Sequence, residues 1–458
     1  MIGQNEGGEG HVKSKRIETT LGIALLVSLL AIAGCGSDSG GGVATFGKPR
    51  PPSKTSPGSG LFAVDCRRQR AYVPLDSLGS NGFGQVAVIN IGANPDITDP
   101  RVKTIALTHA DTPTGTALDN DHNLILVVSG KTGGQDGFVD IIDEKTNTLA
   151  AGSPFSFPTG TQAGHFGQVL YNPTTKLVIL ATCKSSGCSS GNPLTGFVTF
   201  NPVTHVFGTI IPANYPEAFS LNSTTNVVMD ASDSSSGSGA MHAVDVTGGR
   251  ACTLTDSNIR GDQDGSSTDS ATNITVISNE NGTASVLNLN GSTFNPSGTT
   301  TPCTLDETNA PNSVLVSGLP RSTAGSAVNG TTHQAFLIED DSSGVTLIQL
   351  PTSPVTGQLM PGNLGTPSIS NIPSDPLGSG WATKGDPYAV AIGECNNTGY
   401  AVDNSFNFLV QVDLATLFNT PSNISTALPA GKCAGTTSTV SKCTNGKGVK
   451  FFPLPAVL

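Results

Sequence analysis

The stretch GFVDIIDEKTNTLAAG, residues 137–152, contains a short apolar strand that ends in an acidic residue and a polar turn. The same form, a few β-branched or aromatic residues ending in Asp, Asn or Gln, occurs seven times along the chain. The copies end at Asn90, Asp143, Asn201, Asp245, Asn290, Gln349 and Asp413, at intervals of 44 to 64 residues. Recurrence at a period near 50 residues indicates a repeat architecture.

Each copy follows a second apolar stretch, and most units have a third, earlier one. The second stretches are AYVPL (71–75), LILVVSG (124–130), LVILAT (177–182), VVMDAS (227–232), ITVIS (274–278), AFLIED (335–340) and YAVDN (400–404). The earlier stretches are LFAVDC at 61, GTALDN at 115, FGQVLYN at 166, AFSLN at 218 and YAVAIGEC at 388, and VKTIAL (102–107) exemplifies a fourth strand. Four short antiparallel strands per unit predict an all-β fold, a seven-bladed β-propeller of four-stranded antiparallel blades.

The physical reason for a propeller is burial. A single four-stranded sheet cannot bury both of its faces, whereas sheets stacked around an axis cover one another, and closing the ring removes the two exposed ends. The alternative is a linear or two-domain β arrangement in which the spacing is coincidental.

Two segments carry a family resemblance. RAYVPLD with GQVAVIN, and GYAVDNSFNFLVQVD, resemble YVTN-repeat propellers, whose units run Tyr-Val-x-Asn, a Gly-containing turn and a Val-Ile-Asp strand. The likeness covers roughly residues 59–458, and Tyr72-Val73 and Tyr400–Asn404 match best. The resemblance implies the propeller fold and kinship with propeller lactonases, which hydrolyse cyclic esters. No catalytic pattern carries over, so no catalytic residue is predicted.

The composition favours turns and strands, with 55 Gly, 30 Pro and only 12% charged residues among 458. The formal net charge is −11. An acidic balance argues against nucleic acid as a partner, because phosphates require a basic surface. We interpret the charge as a means of keeping an exported protein soluble.

The N-terminal residues predict where in the cell the protein is located. Lys13, Lys15 and Arg16 precede an apolar run, residues 21–33, that is too short to span a bilayer but fits a signal peptide. The run ends in IAGC, residues 32–35, which resembles the lipobox of bacterial lipoproteins and implies cleavage before Cys35 and lipidation of its thiol and new amino group. The alternative is an ordinary signal peptide in which Cys35 is accidental.

These signals divide the chain into three parts. Residues 1–34 are the predicted lipoprotein signal peptide, residues 35–58 a flexible Gly/Ser/Pro tether, and residues 59–458 the propeller. The second residue after the cleavage site is Gly36 and not Asp, which by resemblance favours an exported outer-membrane lipoprotein, on the periplasmic or cell-surface side.

Eight cysteines remain after Cys35, an even number suited to disulfides in an oxidising compartment. Eight cysteines allow 105 pairings. Their positions in the repeat favour two pairs, of which the first requires a closed ring because it joins the first unit to the seventh, and closeness in sequence favours two local pairs. The predicted pairs are Cys66 with Cys395, Cys183 with Cys188, Cys252 with Cys303, and Cys433 with Cys443.

Residues just before each first strand predict a polar ring at one mouth of the propeller channel. By register these are Ser59, Thr114, His165, Glu217, Asp264, Ser322 and Asp386. Such a ring could bind a cation or a small polar ligand, and the alternative is a solvated rim without a ligand. Asp262, Asp264 and Asp269 form a weak Ca²⁺ candidate whose alternative is an Asp-Gly turn. No other cofactor or metal is predicted.

The sequence therefore favours a lipid-anchored cell-envelope β-propeller that acts as a binding or interaction module. The expected partners are the membrane, through the N-terminal lipid, and an envelope protein or a small polar ligand. The alternatives are a lactonase-like hydrolase, which the resemblance suggests, and a structural surface-layer component, which the low charge and abundant Ser, Thr and Asn suggest.

Overall fold

The acidic residue that ends the opening stretch builds a turn. In the computed structural model, Asp143 Oδ1 accepts hydrogen bonds from the backbone N–H groups of Lys145 at 2.8 Å and Thr146 at 2.9 Å. Asn147 then adopts a left-handed conformation with φ of 51°, which Asn tolerates better than most residues. The strand therefore reverses direction within four residues, and the side chain of Asp143 replaces backbone partners that the turn would otherwise lack.

The same turn joins the first and second strands of six units. The opening residues are Asp65, Asp119, Asn172, Asn222, Asp269 and Asn329, each of which accepts from the N–H groups two and three positions later. Four positions after each opener lies a residue with φ between 54° and 60°. In the seventh unit a 3₁₀ helix, Glu394–Asn396, precedes the left-handed Asn397. An Asp or Asn recurs at the ends of these strands because its side chain caps the turn that follows.

The structure describes residues 62–75, 78–92, 102–130, 137–164, 168–185, 188, 191–213, 216, 218–231, 240–261, 263–290, 312–319, 323–339, 344–371, 387–403, 408–422, 424, 433–434, 442–443 and 448–454. Within them, seven antiparallel sheets form the seven blades of a β-propeller. The predicted fold class is confirmed.

Each of the first four blades is a contiguous stretch of chain. Blade 1 comprises β1 (Ala63–Asp65), β2 (Arg70–Leu75), β3 (Gln85–Asn90) and β4 (Val102–Ala106). Blade 2 comprises β5 (Pro113–Asp119), β6 (Leu124–Ser129), β7 (Phe138–Asp143), β8 (Thr148–Leu149) and β9 (Phe155–Ser156). Blade 3 comprises β10 (Thr161–Ala163), β11 (Val169–Asn172), β12 (Leu177–Lys184), β13 (Gly196–Asn201), β14 (Val206–Phe207) and β15 (Ile211–Pro212). Blade 4 comprises β16 (Ala218–Asn222), β17 (Val227–Ala231), β18 (Ala240–Asp245) and β19 (Arg250–Thr255).

The last three blades follow the same order, and blade 7 has an insertion before its outer strand. Blade 5 comprises β20 (Gln263–Asp269), β21 (Ile274–Asn279), β22 (Thr283–Asn288) and β23 (Ser313–Val316). Blade 6 comprises β24 (Thr323–Asn329), β25 (Gln334–Glu339), β26 (Gly344–Gln349) and β27 (Ser368–Asn371), with a 3₁₀ turn at Pro361–Asn363. Blade 7 comprises β28 (Pro387–Gly393), β29 (Thr398–Asp403), β30 (Phe408–Asp413) and β33 (Val449–Pro453), and its insertion contains helix α1 (Leu414–Asn419) and the β31 (Cys433–Ala434) and β32 (Lys442–Cys443) pair. One predicted boundary is wrong: the motif placed at Asn290 ends at Asn288, whose side chain accepts from the N–H of Asn290.

The buried apolar side chains divide into seven clusters among the described residues, and each cluster joins two neighbouring blades. Tyr72 in β2, for example, packs against Ile125 and Val127 in β6. The decisive cluster is the one in which Phe62 and Val73 of blade 1 pack with residues of blade 7. Seven sheets with seven apolar seams form a closed ring, as the burial argument requires.

Contacts between the innermost strands and a disulfide bond also join the first blade to the seventh. We call β1, β5, β11, β16, β20, β24 and β28 the inner strands. β1 lies against both β5 and β28, so the first and seventh blades are neighbours. Cys66, just after β1, is bonded to Cys395, just after β28, across 329 residues of sequence. This pairing is the one that the sequence tied to ring closure.

The structure describes the other three predicted cysteine pairs to different extents. Cys183 is bonded to Cys188 within blade 3. Cys252 takes part in a disulfide, and its predicted partner Cys303 lies outside the described residues. Cys433 and Cys443 lie directly opposite one another in the β31–β32 ladder.

The turns after the inner strands all lie on one face of the ring, which we call the hairpin face. There, side chains of one blade bond the turn of the next. From blade 3 to blade 7, one such hydrogen bond joins each blade to the next. These bonds are Asn172 Nδ2 to Asn226 Oδ1 (2.9 Å), Asn222 Nδ2 to Asn273 Oδ1 (2.5 Å), His333 Nδ1 to Asp269 Oδ2 (2.6 Å) and Asn329 Nδ2 to Asn397 Oδ1 (2.8 Å). Arg68 bonds Asn123 between blades 1 and 2, and Tyr171 and Lys176 bond Asp121 between blades 2 and 3. The same residues that cap the turns thus join the blades.

Candidate functional site

All seven inner strands line one cavity on the axis, which we call the axial cavity. Its volume is about 370 Å³, within the range of small-molecule sites. The lining residues are Phe62, Ala63, Val64, Thr116, Ala117, Leu118, Val169, Leu170, Tyr171, Pro173, Ser220, Leu221, Ser223, Ser267, Thr268, Ala327, Val328, Ala391, Ile392 and Glu394. Because each blade contributes two to four of them, the cavity exists only in the closed ring.

One residue per blade forms a belt around this cavity. It is the residue directly before the turn opener, and in all seven blades it is half-buried: Val64, Leu118, Tyr171, Leu221, Thr268, Val328 and Ile392. In six blades the opener itself turns into the hairpin to cap the backbone and is buried. Side chains alternate along a strand, so the preceding residue lies on the opposite face of the sheet, and in every blade that residue lines the axial cavity. The belt is therefore built by the same pattern that builds the turns.

The hydroxyl groups of the wall are concentrated in blades 4 and 5. Ser220 Oγ lies 2.8 Å from Ser266 Oγ and 2.7 Å from Thr268 Oγ1, and Thr268 Oγ1 lies 2.9 Å from Thr275 Oγ1. Ser267 Oγ donates to Ser326 Oγ of blade 6 at 3.0 Å. These bonds form a hydroxyl network between adjacent inner strands.

Outside blades 4 and 5, the hydroxyl groups of the cavity wall form hydrogen bonds with other groups of the protein. Thr116 Oγ1 accepts from the N–H of Ala63 and donates to the carbonyl oxygen of Tyr72, both at 2.8 Å. The Tyr171 hydroxyl donates to Asp121 Oδ2 at 2.7 Å. Blades 6, 7, 1, 2 and 3 thus contribute mostly apolar lining residues, whereas blades 4 and 5 contribute most of the hydroxyl groups.

The cavity opens toward the hairpin face, since Pro173, Ser223 and Glu394 belong to or follow the hairpin turns. A second cavity of about 320 Å³ adjoins it there and shares Val64, Leu118, Ile392 and Glu394 with it. The second cavity adds polar residues, namely Asp65, Arg67, Asn120 and Thr331. A cavity lined by apolar residues and hydroxyl groups thus opens through a polar mouth.

A buried charged cluster supports this mouth between blades 1 and 2. Arg68 Nη1 donates to Glu144 Oε2 at 2.6 Å and to Asp65 Oδ2 at 3.0 Å, and Arg70 Nη1 donates to the Glu144 carbonyl oxygen at 2.9 Å. Burial, together with the neighbouring Asp65 carboxylate, raises the pKa of Glu144 to about 8. Burial also works to raise the pKa of Asp65, but hydrogen bonds with Glu144 and Arg68 outweigh it and lower that pKa. At neutral pH, Glu144 is the carboxyl group that holds the proton, and Asp65 is ionised.

The predicted polar ring belongs to the opposite face, where the inner strands begin. Two of its seven residues are described. Thr114 lies near the start of β5, where its hydroxyl donates to the Val128 carbonyl oxygen at 3.0 Å. Asp264 lies near the start of β20 and is buried, so it does not form part of an open rim. The remaining residues, Ser59, His165, Glu217, Ser322 and Asp386, lie outside the described residues.

Two of the three Ca²⁺ candidates are described, and they do not lie together. Asp264 and Asp269 lie near opposite ends of β20, and Asp262 lies outside the described residues. Asp269 Oδ1 caps its turn and Oδ2 accepts from His333. Within the described part of the chain, no three His, Cys, Asp or Glu side chains are grouped so that they could hold a metal ion.

A histidine–aspartate pair was not foreseen from the sequence. His109, in the connection from β4 to β5, lies with its Nε2 2.6 Å from Asp140 Oδ2. The N–H of Asp111 donates to His109 Nδ1 at 3.3 Å, so Nε2 carries the proton that binds Asp140. The ring of Phe138 lies 4.7 Å from the imidazole ring, measured between centroids. The pair anchors a blade connection away from the axial cavity.

The belt was also missed, although the sequence contains a signal for it. Its members precede the Asp or Asn in LFAVDC, GTALDN and AFSLN, which are stretches whose apolar residues are readily assigned to the core. Counting back one position from each turn opener would have found them. In blade 5 the signal is weak because GSSTD contains no apolar residue.

No protein-family model matches the chain, and no curated protein matches it. The likeness to YVTN-repeat propellers therefore remains a prediction, while the seven-bladed fold is shown by the structure. Among the described residues, no helix is long and apolar enough to cross a membrane.

Proposed function

We propose that this protein is a binding module of the cell envelope, a lipid-anchored β-propeller whose ligand site is the axial cavity. The observation that carries the proposal is the cavity itself: about 370 Å³, lined by all seven blades with both apolar residues and polar groups, and with a polar mouth. Concave apolar sites with a few polar groups are the usual form of small-molecule sites.

The proposed anchor is Cys35, which would carry the lipid, and residues 35–58 are the proposed tether. Both rest on the resemblance of residues 32–35 to a lipobox. Within the described residues, β1 runs toward the hairpin turn at Cys66, so the chain enters the ring from the face where the inner strands begin.

The proposed kinship with YVTN-repeat propellers is supported by the two tyrosines that carry it. Tyr72 and Tyr400 lie in the second strands of blades 1 and 7, and both side chains are fully buried in apolar seams. The hydrolase and surface-layer alternatives rest on resemblance and composition, and no contact among the described residues favours either.

A fluorescence titration with 2-naphthol tests the ligand site. We expect saturable binding with a stoichiometry of one by the wild-type protein. Val328→Trp, which places a large side chain in the belt, should abolish it, and Ile392→Trp should do the same from blade 7. Val203→Trp, at a position 56% exposed on an outer hairpin, is the matched control and should bind as the wild type does. Binding that is absent, or equal in all four folded proteins, would refute the proposal.

The anchor is tested separately by feeding expressing cells an alkyne-labelled fatty acid. The wild-type protein and a Ser37→Ala control should take up the label and partition into detergent, whereas Cys35→Ala should do neither. Label in Cys35→Ala would contradict the anchor without affecting the cavity.

A further inference from the structure

The axial cavity is not uniform, and its asymmetry points to a class of ligand. Four lining residues with hydroxyl groups, Ser220, Ser223, Ser267 and Thr268, come from the adjacent blades 4 and 5. In a ring of seven, blade 1 lies directly across the axis from the seam between blades 4 and 5. The lining residues of blade 1 are Phe62, Ala63 and Val64. A ligand in this cavity would meet hydrocarbon on one side and hydroxyl groups on the other.

The hydroxyl-bearing side keeps capacity to bind a ligand. A serine or threonine hydroxyl can make three hydrogen bonds, one as donor and two as acceptor. Ser220 Oγ makes two, to Ser266 and Thr268, and Thr268 Oγ1 makes two, to Ser220 and Thr275. Each therefore has one hydrogen-bonding position left, and both residues line the cavity. The Thr116 hydroxyl also makes two bonds, and because it donates to the Tyr72 carbonyl oxygen it has only an acceptor position left.

The wall also disfavours charged ligands. Among the described lining residues of the axial cavity, Glu394 is the only one that carries an acidic or basic side chain, and it lies at the exposed mouth. An ion placed among Ala63, Ala117 and Ala327, which line the axial cavity and not its charged mouth, would lose hydration without gaining a counter-charge, which is costly. The interior therefore suits an uncharged molecule.

We infer that the ligand is a neutral, amphipathic small molecule with an apolar body and a hydroxyl or amide group, bound with that polar group against Ser220 and Thr268. This inference rests on the proposed function, since it concerns the same cavity. The apolar body lies against blades 7, 1 and 2, and the polar group completes the hydrogen bonds of the hydroxyl network. Thr268 and Ser220 are then determinants of specificity.

The test compares two probes that share one apolar body, 2-naphthol and naphthalene. One net hydrogen bond corresponds to a factor of about five in affinity, so the wild-type protein should bind 2-naphthol about five times more tightly than naphthalene. Thr268→Val, which keeps the shape and removes the hydroxyl, should abolish this preference by weakening 2-naphthol binding while naphthalene binding is kept or improved. Ser220→Ala should act in the same direction.

Thr104→Val is the matched control, since Thr104 is exposed on the outer strand β4, and it should keep the wild-type preference. The inference is overturned if the ratio of the affinity for 2-naphthol to the affinity for naphthalene is the same in the wild-type and Thr268→Val proteins. Its failure is distinguishable from failure of the proposed function. If the inference alone fails, both probes still bind and Val328→Trp still removes them; if the proposed function fails, neither probe binds saturably, or Val328→Trp has no effect.

Discussion

Removal of the disulfide between blades 1 and 7 should destabilise the protein far more than removal of the local one in blade 3. Cys66 and Cys395 are 329 residues apart in sequence, and Cys183 and Cys188 are 5 apart. In the chain-entropy model, a cross-link stabilises the fold by restricting the unfolded chain, and the effect grows with the logarithm of the loop length. That model gives about 6 kcal/mol for the long loop and about 2 kcal/mol for the short one.

The experiment compares two double variants, Cys66→Ala with Cys395→Ala, and Cys183→Ala with Cys188→Ala. Equilibrium unfolding in guanidinium chloride, followed by circular dichroism, should show a free energy of unfolding lower by about 4 kcal/mol in the first variant than in the second. The comparison is conservative, because Cys183 is fully buried and its truncation adds a packing loss to the control.

Native-state hydrogen exchange locates the effect. Loss of the long-range bond should raise exchange in β1 and β28, the two inner strands at that seam, before it raises exchange in β16. Equal destabilisation of the two double variants, or a rise spread evenly over all blades, would refute the view that this bond holds the ring closed.

Two further predictions concern the turns and the mouth. Asn222→Ala removes both a turn cap and the hydrogen bond to Asn273. It should lower the free energy of unfolding, measured by chemical denaturation, by about 2 to 3 kcal/mol, whereas Asp143→Ala, which removes a cap alone, should lower it by about 1 kcal/mol. Equal losses would show that the bond between blades contributes nothing. Burial raises the folded-state pKa of Glu144 to about 8, above the ordinary value of 4.5 for a glutamic acid. The folded protein therefore binds more protons than the unfolded chain between these pH values, and stability should fall as the pH rises from about 5 to about 8. Glu144→Gln should resemble the wild type near pH 5 and lose this decline, as measured by unfolding at several pH values; an unchanged slope would contradict the assignment of the proton to Glu144.

The fold could be predicted because short local segments of the sequence indicate both the buried strands and the turns that follow them. VDIID in β7 and VAVIN in β3 are apolar enough to be read as buried strands, and the polar residue that ends each marks a turn. The first strands of blades 5 and 6 are harder. QDGSSTD in β20 has no apolar residue, because small hydroxyl residues pack there between neighbouring inner strands and bond one another instead. Only the register of the other blades indicates that a strand is present.

The site was harder to predict than the fold because it depends on contacts between distant residues. Nothing local distinguishes Val64 or Leu118 from a core residue; they face a cavity only because seven strands meet on an axis. The pKa of Glu144 is likewise raised by its burial between blades and then by Asp65, which lies on the neighbouring blade. Sequence register placed the polar ring at the face where inner strands begin, whereas the described cavity opens at the opposite face.

A crystal structure of the protein soaked with 2-naphthol tests the central claim most directly. The account predicts seven sheets closed around one axis and density for the naphthol ring between the belt residues, with its oxygen within hydrogen-bond distance of Thr268 or Ser220. An open arc of sheets, or a ligand bound only elsewhere on the surface, would contradict it.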